Sequence, residues 1–164
     1  MVAQTTLRIL ATTVALLLLY VVVPVPGTSG AAAVVGLIGG LIVFVALVGW
    51  LTRSIARAPQ PVLRAVEVVA FALPLLVVVF AFTYLSLSEA DPGAFSEELD
   101  RIGAVYFAVS ILGTVGLGDI SPATDATRLL VTLQTLLDIA LIAGFARIVI
   151  VATRTGLRRK GSGH

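Results

Sequence analysis

The sequence predicts an all-α membrane protein with four transmembrane helices and one short re-entrant helix. Apolar residues make up 59% of its 164 residues and charged residues only 12%, whereas soluble domains are about 45–50% apolar and about 25% charged. Residues 9–52 carry no charge at all, which leaves room for two spans of about 20 residues each. Leu, Val and Ala dominate without strand-like alternation, so the spans are predicted to be helical.

Each element is predicted from its length and its boundaries. Four apolar segments are long enough to cross a hydrocarbon core of about 30 Å at about 1.5 Å per residue: residues 7–23, 31–51, 61–87 and 127–153. Pro24 and Pro26 end the first of them. A fifth apolar stretch, residues 102–112, is too short to span, and this length is typical of a re-entrant helix.

Charged residues predict the orientation of the spans. Two clusters of basic residues stand out: Arg53, Arg57 and Arg64 around the connection between the second and third spans, and Arg154, Arg158, Arg159 and Lys160 after the fourth. The loop after the third span is acidic, with Glu89, Asp91, Glu97, Glu98 and Asp100. The positive-inside rule therefore places both termini in the cytoplasm and the acidic loop outside. No span repeats Arg or Lys at every third position, which argues against a voltage sensor.

Several kinds of chemistry are disfavoured by composition. Cysteine is absent, and the single histidine is His164 at the end of the chain. Disulfides and thiolate or histidine metal sites are therefore excluded. Since no nucleophile–base pair is apparent either, we predict neither an enzyme nor a resident cofactor, and no nucleic acid partner.

The most informative stretch is Thr114-Val115-Gly116-Leu117-Gly118-Asp119, directly after the short apolar helix. A dehydrated cation needs a stack of inward-pointing oxygens. A backbone can aim successive carbonyls the same way if its residues alternate between right- and left-handed conformations. Glycine removes the steric cost of the left-handed ones, and two glycines here stand at alternate positions. Thr114 can add a hydroxyl, while Val115 and Leu117 are expected to pack behind the carbonyls.

This stretch and its surroundings resemble the tetrameric pore-loop potassium channels. The resemblance covers residues 106–154. Such channels use four TVGYG loops whose carbonyl oxygens replace the hydration shell of K⁺, and Leu117 stands here in place of the Tyr. Pro122, Thr124 and Arg128 follow the stretch as they do in bacterial channels with a two-helix pore.

The resemblance implies a division of the chain and a set of partners. Residues 1–60 are then two additional N-terminal helices, residues 61–154 the pore module, and residues 155–164 a short basic cytoplasmic tail. One chain supplies one loop, so a full ring requires a homotetramer. The implied ligand is permeant K⁺, held at Thr114, Val115, Gly116 and Leu117, and the implied location is the lipid bilayer of the plasma membrane.

Three departures from the family pattern leave other functions open. Leu117 removes an aromatic strut, Gly113 replaces a Thr before the filter, and Ser110 stands where one bacterial channel has a Glu. A homotetramer would carry Leu117 four times. The leading hypothesis is a potassium-selective channel. The alternatives are a weakly selective cation channel and a non-conducting membrane subunit of another channel, although a scaffold has no need of a carbonyl ladder.

Two acidic residues raise questions of partnership. Asp119 either supports the filter through a hydrogen bond to Tyr106, as the family pattern implies, or is a solvated carboxylate that attracts cations. Glu67 and Arg147 lie at similar depth on the third and fourth spans and could form an ion pair related to gating. Arg64, one turn from Glu67, is the competing partner.

The fourth span contains two further candidates. Gly144 is either a pivot for gating or a close-packing contact. Asp138 is the only acid in the middle of this span, and an ionisable group at mid-membrane has to face water or a partner. By resemblance it would line the central cavity, so that four carboxylates form a ring that binds internal Mg²⁺ or polyamines. The alternative is a protonated Asp138 bonded to Gln134 or to a neighbouring helix.

Overall fold

The computed structural model describes residues 2–22, 29–55 and 61–161. The described side chains are those of Leu7 and of residues 9–22, 29–53 and 63–147. Several sequence predictions concern residues outside these ranges, namely those about Pro24, Pro26, Arg57, His164 and the side chains of Arg154, Arg158, Arg159 and Lys160.

Five helices make up the described part of the chain, which contains no strand. They are α1 (Val2–Val22), α2 (Gly30–Ile55), α3 (Pro61–Ala90), α4 (Arg101–Leu112) and α5 (Asp125–Gly161). The prediction of an all-helical protein is confirmed. The helices are longer than the predicted spans, and α5 runs on through residues expected to form a tail. Helix ends project beyond an apolar span because polar residues, too, can continue the backbone hydrogen bonds.

Three helices are long and apolar enough to cross a membrane. The apolar segments are Gly30–Arg53 in α2, Leu63–Ala90 in α3 and Asp125–Arg147 in α5. The apolar part of α1, Ile9–Val22, is shorter. Three of the four predicted spans are therefore confirmed by length and composition, and the first stays a prediction.

The third helix is the centre of the fold. Helix α3 contacts each of the other four helices, and α4 also contacts α5. Apolar residues cover every side of α3, as expected of a helix surrounded by others, and its Phe80, Ala81 and Tyr84 are fully buried. Both N-terminal helices thus pack against α3 of their own chain.

Aromatic side chains fix α4 against α3. The rings of Tyr84 in α3 and Phe107 in α4 meet edge to face with centroids 5.1 Å apart. Phe95, in the loop between these helices, contacts both rings at 5.7 and 5.4 Å. Edge-to-face pairs add about 0.5–1.5 kcal/mol beyond burial, so this triangle holds α4 at a defined angle to α3.

A polar contact joins α1 to the start of α4. The Tyr20 hydroxyl donates to the carbonyl of Arg101 at 2.9 Å, and Arg101 Nη1 donates to the carbonyl of Tyr20 at 2.6 Å. The guanidinium also lies 5.8 Å from the centre of the Tyr20 ring, a cation–π distance. Helix α1 therefore reaches the short helix directly as well as through α3.

We expect the α2–α3 contact to depend on Gly40. A Cβ added there would lie 2.9 Å from Cγ1 of Val79, a β-branched residue with little rotamer freedom in a helix. Gly40→Leu should therefore force the helices apart, at a cost of about 1–3 kcal/mol. The measurement is the thermal unfolding midpoint of the purified protein in detergent.

The neighbouring glycine supplies the control. Nothing lies within 4 Å of a Cβ at Gly39, so Gly39→Leu should keep the wild-type midpoint. Equal midpoints for Gly40→Leu and Gly39→Leu would show that the close approach of α2 to α3 is wrong.

Candidate functional site: the loop between α4 and α5

The short helix α4 is a well-defined platform for the loop that follows it. Asp100 is its N-cap, and its Oδ1 accepts from the backbone N–H of Gly103 at 2.6 Å. The sequence places this carboxylate only among the acids of the loop, whereas at a helix N-terminus it also interacts favourably with the helix dipole. Helix α4 ends at Leu112, so its negative C-terminal end lies next to Thr114, where it favours cations.

The backbone after α4 alternates in handedness. The φ angles of Thr114, Gly116 and Gly118 are +53°, +53° and +79°, and no other described residue has a positive φ. Every second residue of the stretch is therefore left-handed, as the two glycines predicted. The strained conformation of Thr114, rare for a residue with a Cβ, could not be predicted from glycine spacing.

The amides of this loop point back toward α4. The carbonyl of Ser110 accepts from the N–H of Val115 at 3.0 Å and, more weakly, from that of Gly116 at 3.5 Å. In the described part of the chain, the carbonyls of residues 114–118 accept no hydrogen bond. The N–H groups of Val115 and Gly116 bond toward α4, and in that described part the carbonyl oxygens of the loop have no partner of their own. These oxygens are therefore free to contact a cation.

Gly113 also has a physical reason to be glycine. A Cβ there would lie 3.2 Å from the carbonyl oxygen of Val109 and 3.3 Å from Cγ2 of Val115. Both distances are tighter than ordinary van der Waals contact. A side chain at this position would therefore require its neighbours to shift by a few tenths of an ångström.

The two apolar side chains of the loop are not covered within one chain. Val115 is 61% exposed and Leu117 is 62% exposed. They were expected to pack behind the carbonyls, and a single chain provides no such packing. The reason is that α4 turns its buried residues, Ala104, Phe107 and Ala108, toward α3 rather than toward this loop.

Asp119 ends the loop in a network of hydrogen bonds. The Tyr106 hydroxyl donates to its Oδ2 at 2.5 Å, and the N–H of Ile120 donates to its Oδ1 at 3.0 Å. The hydrogen bond from Tyr106 is the main reason why the pKa of Asp119 lies below its ordinary value. Its two bonds thus stay strong in neutral and mildly acid solution, and they weaken only when the pH falls below the ordinary carboxylate range of about 3.9.

A second connection holds the segment after the loop. Ser96 Oγ donates to the carbonyl of Asp119 at 3.3 Å and accepts from the N–H of Ser121 at 2.9 Å. Ser96 and Ser121 also bond through their backbones at 2.9 Å, next to an isolated bridge between Phe95 and Pro122. The outer end of the loop is therefore tied to the α3–α4 connection on one side and to α4 on the other.

Asp138 lies away from the exposed face of α5. Its side chain is only 3% exposed within a single chain, and its Oδ2 accepts from Gln134 Nε2 at 3.3 Å. A residue that lines a cavity between subunits has to be exposed in each subunit alone. The burial of Asp138 therefore favours the alternative in which it bonds to Gln134, and the cavity ring that binds internal Mg²⁺ or polyamines stays a prediction.

The remaining gating candidates are separate from the loop. Glu67 Oε2 pairs with Arg64 Nη1 at 2.7 Å, so the competing partner holds Glu67 instead of Arg147. Arg147 is exposed on α5. Gly144 is also exposed, and nothing lies within 4 Å of a Cβ placed there, so the close-packing role is not seen within one chain.

Carboxylate metal sites do not compete with the loop carbonyls as cation ligands. Among the described residues, no group of three or more His, Cys, Asp or Glu could hold a metal ion. The backbone oxygens of residues 114–118 are consecutive, and within the described part of the chain they accept no hydrogen bond.

Comparison with known families gives the class of the protein. A family model described as "Ion channel" matches residues 72–155, which is more than half of the chain. The chain belongs to this ion channel family. The match includes most of α3, all of α4, the loop and most of α5, and it indicates a membrane channel rather than an enzyme. No curated protein and no solved structure matches the chain.

Sequence reasoning missed some residues around the channel's loop. Asp100 had a recognisable signal, because an Asp just before an apolar run is a typical N-cap. Ser96 had none, because it acts on residues 23 and 25 positions away. Tyr84 and Gln134, whose side chains meet 50 positions apart at 2.7 Å, could not be paired from spacing either.

Proposed function

We propose that this channel is a potassium-selective pore made of four identical chains. The observation that carries the proposal is the backbone at Thr114, Gly116 and Gly118, left-handed at every second residue. With the amides of Val115 and Gly116 turned toward Ser110, consecutive carbonyls can form one row of oxygens. Four rows about an axis give a cation a full shell of ligands.

In this proposal the residues have distinct roles. The carbonyls of Thr114, Val115, Gly116 and Leu117 hold K⁺ in place of water, and Gly118 completes the backbone alternation. Helix α4 is the re-entrant pore helix. K⁺ is the permeant ion rather than a cofactor, and conduction follows its gradient without an energy source.

The mouth of the pore is supported by Asp119 and Tyr106. Their 2.5 Å hydrogen bond spans from the outer end of the loop to the pore helix. The exposed acids Glu89, Glu97 and Glu98 belong to the same outer side and attract cations over roughly 10 Å at 0.1 M salt.

The proposal places the channel in the plasma membrane with both termini in the cytoplasm. Arg53 and Arg64 flank the α2–α3 connection, and the positive-inside rule assigns that side to the cytoplasm. Helices α1 and α2 both contact α3, and α1 also contacts Arg101 through Tyr20. Neither carries the regular arginine repeat of a voltage sensor.

A weakly selective cation channel is the second candidate. It is favoured by Leu117, whose side chain is 62% exposed and offers no hydroxyl to brace the loop from behind. A looser ring of carbonyls would still conduct but would discriminate less between K⁺ and Na⁺.

Flux from liposomes tests passive conduction. Purified protein is reconstituted in liposomes loaded with KCl and diluted into NaCl, and a proton ionophore with a pH-sensitive dye reports K⁺ efflux. We expect efflux that requires the protein, with a K⁺ ionophore added last to give the total releasable K⁺. No efflux above protein-free liposomes would favour a non-conducting subunit.

A further inference from the structure

A buried polar network joins α3, α4 and α5. Tyr84 Oη donates to Gln134 Oε1 at 2.7 Å, and Gln134 Nε2 donates to the carbonyl of Ala108 at 2.9 Å and to Asp138 Oδ2 at 3.3 Å. Tyr84, Gln134 and Ala108 are 0% exposed. One amide therefore makes three hydrogen bonds to three partners, and its orientation is fixed by them.

The network acts on the part of α4 that holds the loop. Ala108 lies two residues before Ser110, whose carbonyl accepts from Val115 and Gly116. A displacement of this last turn of α4 would move the amides of Val115 and Gly116. The hydrogen bond from Gln134 to Ala108 therefore acts on the proposed ion ligands indirectly, through the position of the Ser110 carbonyl.

Asp138 is an acid without a countercharge in this network. Its Oδ1 is buried and has no hydrogen-bond partner in the part of the chain that is described. The groups that face it are the Tyr84 hydroxyl from α3 and the Gln134 amide from its own helix. Helix α4 contributes the Ala108 carbonyl nearby, and its one charged residue, Arg101, is at its opposite end. A buried carboxylate with a single donor is strongly disfavoured.

We propose that Gln134 is a positioning residue that holds α4 against α5 behind the filter, and that Asp138 completes this network in its protonated form. The inference rests on the proposed pore function. Loss of the proton would create a buried charge that needs more donors than Gln134 can supply. Water would have to enter between the helices, and the bond to Ala108 would be weakened. Conduction is then expected to fall.

The first test measures single-channel open probability in planar bilayers with symmetrical KCl. Gln134→Leu removes all three hydrogen bonds of the amide and should lower open probability by about tenfold or more. A factor of ten corresponds to about 1.4 kcal/mol. Tyr84→Phe keeps the ring but removes the hydroxyl, and it should lower open probability by a smaller factor. Thr132→Val is the control, because the Thr132 hydroxyl is on the same helix, exposed, and bonded to its own backbone.

The second test is the pH profile, which a purely structural role would not change. Open probability of the wild type should fall as the pH is raised, because a buried acid gives up its proton at a higher pH than an exposed one. Asp138→Asn cannot ionise and should lack that fall. An unchanged alkaline fall in Asp138→Asn would overturn the protonated role, and so would a loss of internal Mg²⁺ block in this variant, since that places Asp138 in the cavity.

The outcomes separate this inference from the proposed function. If the wild type carries no K⁺ current, the proposed function is wrong and the inference falls with it. If the wild type conducts while Gln134→Leu and Tyr84→Phe both keep its open probability, only the inference is wrong. If Gln134→Leu does not assemble, as judged by gel filtration, the open probability of Tyr84→Phe is compared with that of Thr132→Val. Equal values would then overturn the inference.

Discussion

Replacing Gly116 by alanine is expected to abolish K⁺ conduction. Gly116 has a φ of +53°, and nothing lies within 4 Å of a Cβ placed there. The obstacle is therefore the backbone conformation rather than space: a left-handed L-residue costs about 1–2 kcal/mol, and the proposed tetramer would meet this cost in each chain. The backbone can escape this cost by turning the carbonyl out of the row. The measurement is single-channel current in planar bilayers.

A glycine outside the loop provides the comparison. Gly49 lies in α2, and a Cβ there also meets nothing within 4 Å. Gly49→Ala should conduct as the wild type does, and both variants should elute at the wild-type position in gel filtration. Normal currents from Gly116→Ala would mean that ions do not pass along these carbonyls.

The second large effect is expected from Asp119→Ala. This change removes both the bond from Tyr106 and the bond from Ile120, so the outer end of the loop loses its tie to α4. The fraction of time spent conducting should drop severely, while any channel still open keeps its ion preference. Recordings of steady-state current after a step in voltage measure this fraction.

Two further variants separate the hydrogen bond from the charge. Glu98→Ala removes an exposed acid from the same outer side, and it should leave most of the current. Tyr106→Phe keeps the charge of Asp119 but removes the donor, so it should resemble Asp119→Ala. If Glu98→Ala and Asp119→Ala reduce the current equally, while Tyr106→Phe does not, Asp119 acts only by attracting cations.

The helices were largely predictable because composition alone requires them. Long apolar runs without strand-like alternation form helices in a bilayer, and such runs predicted α2, α3 and most of α5. The exact ends were less predictable: α4 begins one residue earlier than predicted, at Arg101, and α5 continues beyond residue 153. For α1 the helix was predicted, but its apolar part is short.

The loop was predictable for a different reason. Glycines at alternate positions are the cheapest way to alternate backbone handedness, so Gly116 and Gly118 indicated the geometry before it was seen. Thr114 joins the same pattern against its own preference: its own N–H donates to the Ile111 carbonyl, and the next N–H, that of Val115, donates to the Ser110 carbonyl. That restraint depends on how the chain turns at the end of α4, and the spacing of residues in the sequence does not reveal it.

The Asp138 prediction shows the limit of arguing from one helix. A mid-membrane acid has to face water or a partner, and the sequence alone offered both. The choice depended on which side of α5 meets α3 and α4. Tyr84 and Ala108, at 50 and 26 positions from Gln134, determine that side, and only the packed chain brings them together.

The most direct test of the central claim is the reversal potential of the purified wild-type channel in a planar bilayer. With K⁺ on both sides at different concentrations, it should follow the K⁺ gradient by about 59 mV per tenfold ratio. In a second recording K⁺ is equal on both sides, so that the reversal potential starts at zero. When K⁺ on one side is then replaced by an equal concentration of Na⁺, the reversal potential should move far from zero, in the direction set by the K⁺ gradient. A reversal potential that stays at zero after this exchange would contradict the account and leave a channel that does not distinguish the two ions.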